Sequence, residues 1–326
     1  MANVTRSSFI KAMVKDAYSY SLESYDKVEK VSTQIFDTET SDSAYEQYTS
    51  AIGPGAVTEV VEGTSIPRQS AQEGYTVICA NKKRATELPL TNEAIDDNQK
   101  IANFLKAWAT GAGESFANAQ ETDHLNIFNK GGFTSGDSTF DNSIPGVVTP
   151  SYGNFTYDGK PFFALSGNNH PAKNGATYYN SIASLTLSGQ NLETLLKLIA
   201  VTNAFNEAGL EISLHPDTLL VQYGSANYYK AKRILESIAE IDAVQSGVTN
   251  VWKGALTLVG SRFLTSADAY FVGKAKMGLK SLNRLPLKID YYEDQNSDSQ
   301  IVRARARWGK AVSNFRGWVG ANLSTS

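Results

Sequence analysis

The sequence predicts an α+β fold with an N-terminal arm, a projecting β-hairpin and one long helix. Three observations predict it. A Gly53-Pro54-Gly55 breaker leads into two β-type runs joined by a long polar connection. After Thr91 the apolar residues take up a helical period, and in the tail at 301–308 that period becomes two. The 326 residues, 41% hydrophobic and 10% aromatic, supply a real core and exclude a disordered chain.

Residues 1–50 are rich in Ser, Thr, Tyr and acidic side chains. Phe9, Met13 and Val14 suggest a short amphipathic helix, whereas 39–50 is polar and aperiodic. Such a stretch buries little by itself and is expected to lie loose or along something else, as an arm. Beyond the breaker, 57–62 (VTEVVE) and 73–80 read as two strands of an extended hairpin. Lys82-Lys83-Arg84 follows at its return end as a small basic cluster. Ile101, Phe104, Leu105 and Trp108 fall at i, i+3, i+4 and i+7, one apolar face of a helix of some 30 residues. Thr91 or Asn92 caps it, acids follow in its first turn, and Gly111 and Gly113 weaken its middle. Residues 129–155 read as loop. Helices are expected at about 191–207 and 225–240, and strands at 219–223, 252–259 and 269–272. In the tail Val302, Ala304, Ala306 and Trp308 share one strand face, and Arg303, Arg305 and Arg307 share the other.

The formal net charge of −3 argues against a dedicated nucleic-acid binder. A lone cysteine, Cys79, sits in an apolar run and reads as a buried thiol. The N-terminus lacks the apolar core of a secretory signal, and no stretch approaches the ~20 apolar residues of a membrane span, so a soluble intracellular product is expected. His124, His170 and His215 stand far apart, without metal-ligand spacing, and no phosphate-binding loop or nucleophile elbow occurs. No cofactor or metal is therefore expected. Asp158 and His170 could pair as acid and base, but no nucleophile or oxyanion motif stands beside them; His170-Pro171 and His215-Pro216 read more simply as turns. Three arginines on one strand face repel one another unless they meet acidic partners, phosphate or solvent.

Four stretches carry a resemblance: 75–97 (YTVICANK through LPL to AIDD), 158–171 (DGKPFF then NHP), 215–221 (HPDTLLV) and 250–271. In that combination the chain resembles the major capsid proteins of tailed bacteriophages, with the Hong Kong 97-type fold, and more closely the phage Mu-like major head subunits. The resemblance implies an N-terminal arm (1–50), an extended loop (51–90), a peripheral domain with a spine helix (91–189), an axial domain (190–285) and a C-terminal return to the peripheral domain (286–326). It implies no catalytic residues. It implies instead hexamers and pentamers of this chain in an icosahedral virion shell around double-stranded DNA, assembled in the host cytoplasm. Portal, scaffolding and decoration proteins would be the partners, and no membrane would be involved. Lys82, Lys83, Arg84, Arg303, Arg305 and Arg307 become candidate inter-subunit or DNA-facing contacts. Two other readings stay open: a hydrolase using His170 or His215, and a phage-derived compartment enclosing cargo.

Overall fold

The computed structural model describes residues 6–53, 55, 57–69, 72–97, 100–130, 162–167, 169–238, 249–297 and 299–323. In chain order the first half contains α1 (Arg6–Lys27), α2 (Ser32–Ile35), β1 (Asp37–Thr40), β2 (Tyr45–Ile52), β3 (Gln72–Ala80), β4 (Lys82–Thr91), α3 (Asn92–Asp97) and α4 (Ile101–Asn129). The second half contains three short strands, β5 (His170–Pro171), β6 (Thr177–Tyr178) and β7 (Ser181–Ile182), then α5 (Gly189–Lys197), β8 (Thr218–Gln222) and α6 (Ala226–Glu236). It ends with β9 (Thr257–Ser261), β10 (Tyr270–Gly273), β11 (Leu279–Asp294), β12 (Ser299–Val312) and β13 (Trp318–Ala321).

Two sheets organise the chain. One runs β1-β11-β12-β4 and the other β7-β13-β10-β8-β9. The first packs against α1 and α4 through Leu287, Ile289, Val302, Ala304, Ala306 and Trp308, which meet Val14, Ala17, Leu105, Ala109 and Phe116. The second packs its buried strands β8 (buried from Thr218 to Val221) and β10 against α5 and α6. Between them lies an aromatic knot centred on Phe128 at the end of α4. Its ring centroid is 5.0 Å from Phe271, 5.2 Å from Trp318 and 6.2 Å from Phe162. Asn180 ties the same region by donating to the Phe162 carbonyl (2.8 Å) and the Trp318 carbonyl (3.1 Å).

The long helix exists, but it is divided from its expected start. Thr91 Oγ1 caps α3 by accepting from the Ala94 amide (3.2 Å), and α4 begins separately at Ile101. Its buried side is Ile101, Leu105, Ala109, Ala112 and Phe116, so Phe104 turns outward at 53% exposure. The arm expectation changes more. Residues 6–27 form a helix of 22 residues, not a short one, laid along α4. Ser24 donates to the Thr110 carbonyl (2.8 Å), Tyr25 bonds Gln120, and Lys106 sits over the Tyr20 ring.

The hairpin has a different outgoing strand from the one expected. β3 pairs with β2, Tyr48 opposite Val77 and Thr49 opposite Thr76, while 57–62 pairs with nothing among the described residues. The 45–52 segment looked aperiodic because its alternation is carried by Tyr, Thr and Gln, not by aliphatic residues. β11 was not expected, since Pro286 interrupts its sequence. The structure accommodates that proline at a ladder irregularity between Leu285 and Lys288. Smaller shifts follow the same pattern. α5 ends at Lys197 and continues as a π-helical turn over Leu198–Thr202, and the expected strand at 252–259 is a turn leading into β9. α6 stops at Glu236, and the loop expected at 129–155 lies, from 131 on, outside the described residues.

Gly113 permits the close α1–α4 crossing. A Cβ there would overlap the Ser21 carbonyl oxygen and Ser24 Oγ, whereas one on Gly111 meets nothing within 4 Å. Gly113→Ala is therefore expected to destabilise the subunit by about 1–3 kcal/mol through overpacking. Gly111→Ala should stabilise it by up to about 1 kcal/mol through helix propensity. Urea denaturation of the unassembled subunit distinguishes the two, and equal effects would contradict this packing.

Candidate assembly interface

The hairpin is rooted in the first sheet. After β3 the chain passes through Asn81 directly into β4, which pairs with β12 from Trp308↔Lys82 to Ser299↔Thr91. Asn81 is itself clamped, donating to Ser41 Oγ (2.9 Å) and the Ser43 carbonyl (3.0 Å). Pro89 fits β4 because β4 is an edge strand, where a missing N–H costs no ladder bond. Beyond β2 and β3 the tip turns its side chains to solvent. Val57 is 92% exposed, Val61 71% and Ile66 78%.

Register divides the six basic candidates between two faces. Residues opposite one another share a face, so Lys83 lies with Arg307, and Arg305 and Arg303 continue the row past Ala85 and Glu87. On the other side of β12 the same face receives Lys288 opposite Arg305 and Asp290 opposite Arg303. Asp290 answers two of the arginines, accepting from Arg303 Nε at 2.9 Å and lying 2.7 Å from Arg305 Nη2. Burial pushes its carboxyl pKa up, but the Arg303 and Arg305 charges outweigh that and hold it below the usual range. Arg307 reaches the Asn81 carbonyl (3.4 Å). The acidic partner that the arginine row requires is thus supplied inside the subunit. Lys83 and Lys288 still leave that face with more positive than negative groups.

Lys82 and Arg84 lie on the opposite face, with Trp308. Arg84 is turned inward, its guanidinium 4.2 Å from the Trp308 ring and paired with Asp123 of α4. Trp308 Nε1 (2.9 Å) and Lys310 Nζ (2.7 Å) also donate to Asp123. Burial raises the Asp123 pKa, yet Lys310 and Arg84 outweigh it and hold the carboxyl below its ordinary value. Burial likewise pushes Lys310 down to about 8. Arg84 therefore fastens β4 to the long helix. Lys82 and Lys83 remain exposed.

Two of the three histidines, His124 and His170, are packed inside the subunit. His170 is fully buried, stacked on Phe315 at 4.1 Å with Nε2 3.3 Å from the Phe162 carbonyl; Asp158 lies outside the described residues. His215 lies on an exposed segment, Nε2 2.9 Å from Ser213 Oγ. His124 is fully buried, its ring 5.1 Å from that of Phe36. Its Nδ1 donates to the Gln120 carbonyl (2.7 Å), so Nε2 accepts from Ser281 Oγ (2.8 Å). One turn away, buried Glu121 accepts from the Ser32 amide (3.0 Å) and hydroxyl, fixing the link from α1 to β1; burial raises its pKa. The thiol of Cys79 is buried and pushed up to about 12, which makes it a poor nucleophile.

Set beside known proteins, this architecture is a viral shell fold. Residues 74–321 match the family model described as "Phage capsid protein". That is most of the chain, and the protein belongs to the phage capsid protein family. Solved structures of the same fold include the capsid of the cyanophage P-SCSP1u (12% identity, 91% of this chain and 89% of that one, TM-score 0.54). Mycobacterium phage Cain (14%, all of both chains, 0.52) and the capsid of a native GTA particle (12%, 90% of each, 0.52) are also similar. No curated protein shows significant sequence similarity. The α+β, Hong Kong 97-type fold is the one that the sequence resembled, and the chain is a structural capsid protein. No described helix is long and apolar enough to cross a membrane.

One pH effect follows from His124, whose pKa burial pushes down to about 4. As pH falls from 6.5 to 5, unfolded chains take up a proton that folded ones refuse. The unfolded state then binds more protons, so stability drops with pH, by about 2 kcal/mol at pH 5. Denaturation curves at pH 7.5 and 5 measure the loss. His124→Gln, which keeps a donor toward Gln120, should shrink it, and an unchanged pH dependence in that variant would contradict the assignment.

Proposed function

We propose that this chain is the major head subunit of a tailed phage of the Mu-like group, assembling into the hexamers and pentamers of an icosahedral shell around double-stranded DNA. The hairpin tip carries the reading: Val57, Val61 and Ile66 stand in solvent on a loop whose root is paired into the first sheet. Each of these side chains contributes about 1.5–3 kcal/mol when buried, and among the described residues of the subunit none buries them. Contact with neighbouring copies does, and a shell repeats that contact in every subunit. The solved GTA structure is the capsid of a native particle, which supports the same reading here.

In this reading 1–50 is the arm, 51–90 the extended loop, 91–189 with 286–326 the peripheral domain and 190–285 the axial domain. Lys82, Lys83 and the surplus positive charge around Arg303, Arg305 and Arg307 meet phosphates or acidic neighbours. Such contacts hold DNA without reading its sequence. Arg84 contributes to the same region through β4, although it is held by Asp123. Portal, scaffolding and decoration proteins complete the partner set, and assembly takes place in the host cytoplasm before the subunit resides in the virion.

Electron microscopy of the purified protein, and of particles from producing cells, tests this. Closed shells protecting DNA from nuclease are expected. Shells with protected protein in place of DNA would indicate a cargo compartment. Only monomers and small oligomers under all assembly conditions would overturn the reading. Deleting 57–66, which leaves β2 and β3 intact, should give a folded subunit that makes no stable shell; normal assembly of that variant would remove the tip from the account.

A further inference from the structure

A buried arginine just before β13 has one edge without a partner. Arg316 is 3% exposed, and its Nη1 donates to Glu207 Oε1 (2.6 Å). The rings of Tyr178 and Phe315 flank it, their centroids 5.3 and 4.8 Å from Cζ. Nε and Nη2 are buried as well, yet they make no hydrogen bond among the described residues. Buried donors are ordinarily satisfied, so an open pair points to a group that belongs beside them. Nε and Nη2 form the edge of a guanidinium that takes two oxygens of one anion. Arg303 uses that same edge on Asp290, at 2.9 and 3.2 Å.

Arg316 lines a cleft of about 140 Å³ where three segments meet: the hairpin root at Ser50 and Tyr75, the 206–212 segment, and 313–316. That exceeds the ~30 Å³ share of one water, so an anion of a few heavy atoms fits. Asn206 and Asn314 line the cleft too, and their side-chain oxygens are already taken. Asn206 Oδ1 accepts from the Ala208 and Leu210 amides (2.9 Å each), and Asn314 Oδ1 accepts from the Arg316 amide (3.0 Å). Their Nδ2 groups are the donors left. The one lining carboxylate among the described residues, Glu207, is engaged at both oxygens, the second by the Lys173 amide (3.1 Å). A second cation stands near, the Lys173 ammonium 4.6 Å from the centroid of the lining Tyr75 ring.

We infer that this cleft is a binding site for a small oxyanion, a phosphate or a carboxylate, held by Arg316 Nε and Nη2 together with the Nδ2 groups of Asn206 and Asn314. The site goes beyond the shell reading and does not depend on it. Bound there, the anion joins the root of the hairpin to 206–212 and 313–316, three segments far apart in the chain.

Calorimetric titration of the unassembled subunit with inorganic phosphate, and separately with acetate, tests this, with sodium chloride holding the ionic strength constant. Saturable one-to-one binding of at least one of them is expected, and the tighter of the two gives the class of ligand. Asn206→Asp with Asn314→Asp keeps the oxygens that the backbone amides use and replaces both donors with negative charge, so binding should weaken at least tenfold. Glu207→Gln keeps an oxygen for Arg316 Nη1 and removes the competing charge, so binding should tighten at least threefold. Arg316→Gln should abolish binding; if that variant does not fold, the asparagine pair carries the test. Absence of saturable binding of either anion by the unaltered subunit, equal binding by the asparagine variant, or failure of Glu207→Gln to tighten it would overturn the site and leave Arg316 a packing residue only.

Discussion

The ladder between β4 and β12 is the contact on which the rest of this subunit depends. It runs in continuous register from Lys82↔Trp308 to Thr91↔Ser299 and joins the root of the projecting hairpin to the middle of the sheet. Because β3 continues into β4 through the clamped Asn81, the hairpin inherits its direction from that sheet. The sheet's own position is set from behind by α4, through the Asp123 cluster with Arg84, Trp308 and Lys310. Breaking a partly buried charge cluster of this kind is costly, because the groups left behind remain desolvated.

This construction explains how a chain can present apolar surface at a distance without losing its own fold. The buried clusters are complete without the tip. One lies between the first sheet and α1–α4, one around Phe128, and one between the second sheet and α5–α6. None of them contains a residue from 57–69. Exposure of Val57 and Val61 therefore costs the monomer no packing, and the loop is left to gain partners when copies meet. Opposite charges on the β12 face are handled similarly. Asp290 neutralises part of the arginine row locally, so that an isolated subunit is not strained by it, and the remaining positive charge is available outward.

Much of this was legible in the sequence where apolar spacing carries the signal. α4, α6, β8 and β10 follow from runs or periods of large aliphatic and aromatic residues, and the two faces of β12 from strict alternation. The hairpin was legible as an object but not in its pairing. VTEVVE has the composition of a strand, yet strand formation needs a partner edge, and none of the described residues of its own subunit pairs with it. YEQYTSAI lacks aliphatic alternation, yet is paired because β3 lies beside it. β11 was hidden by Pro286, which a bulge absorbs. Of the basic candidates, sequence spacing placed Arg303, Arg305 and Arg307 on one face. It could not show that Asp290, from a strand it had not identified, would meet them, or that Arg84 would turn inward to Asp123.

The central claim is that residues 57–69 are ordered by neighbouring copies and not by their own subunit. Hydrogen exchange by mass spectrometry, comparing unassembled subunits with assembled shells, measures it directly. The account predicts rapid exchange across 57–69 in the free subunit and strong protection in the shell, with β4 and β12 protected in both. Protection of 57–69 already present in the free subunit, or its absence from the shell, would contradict the account.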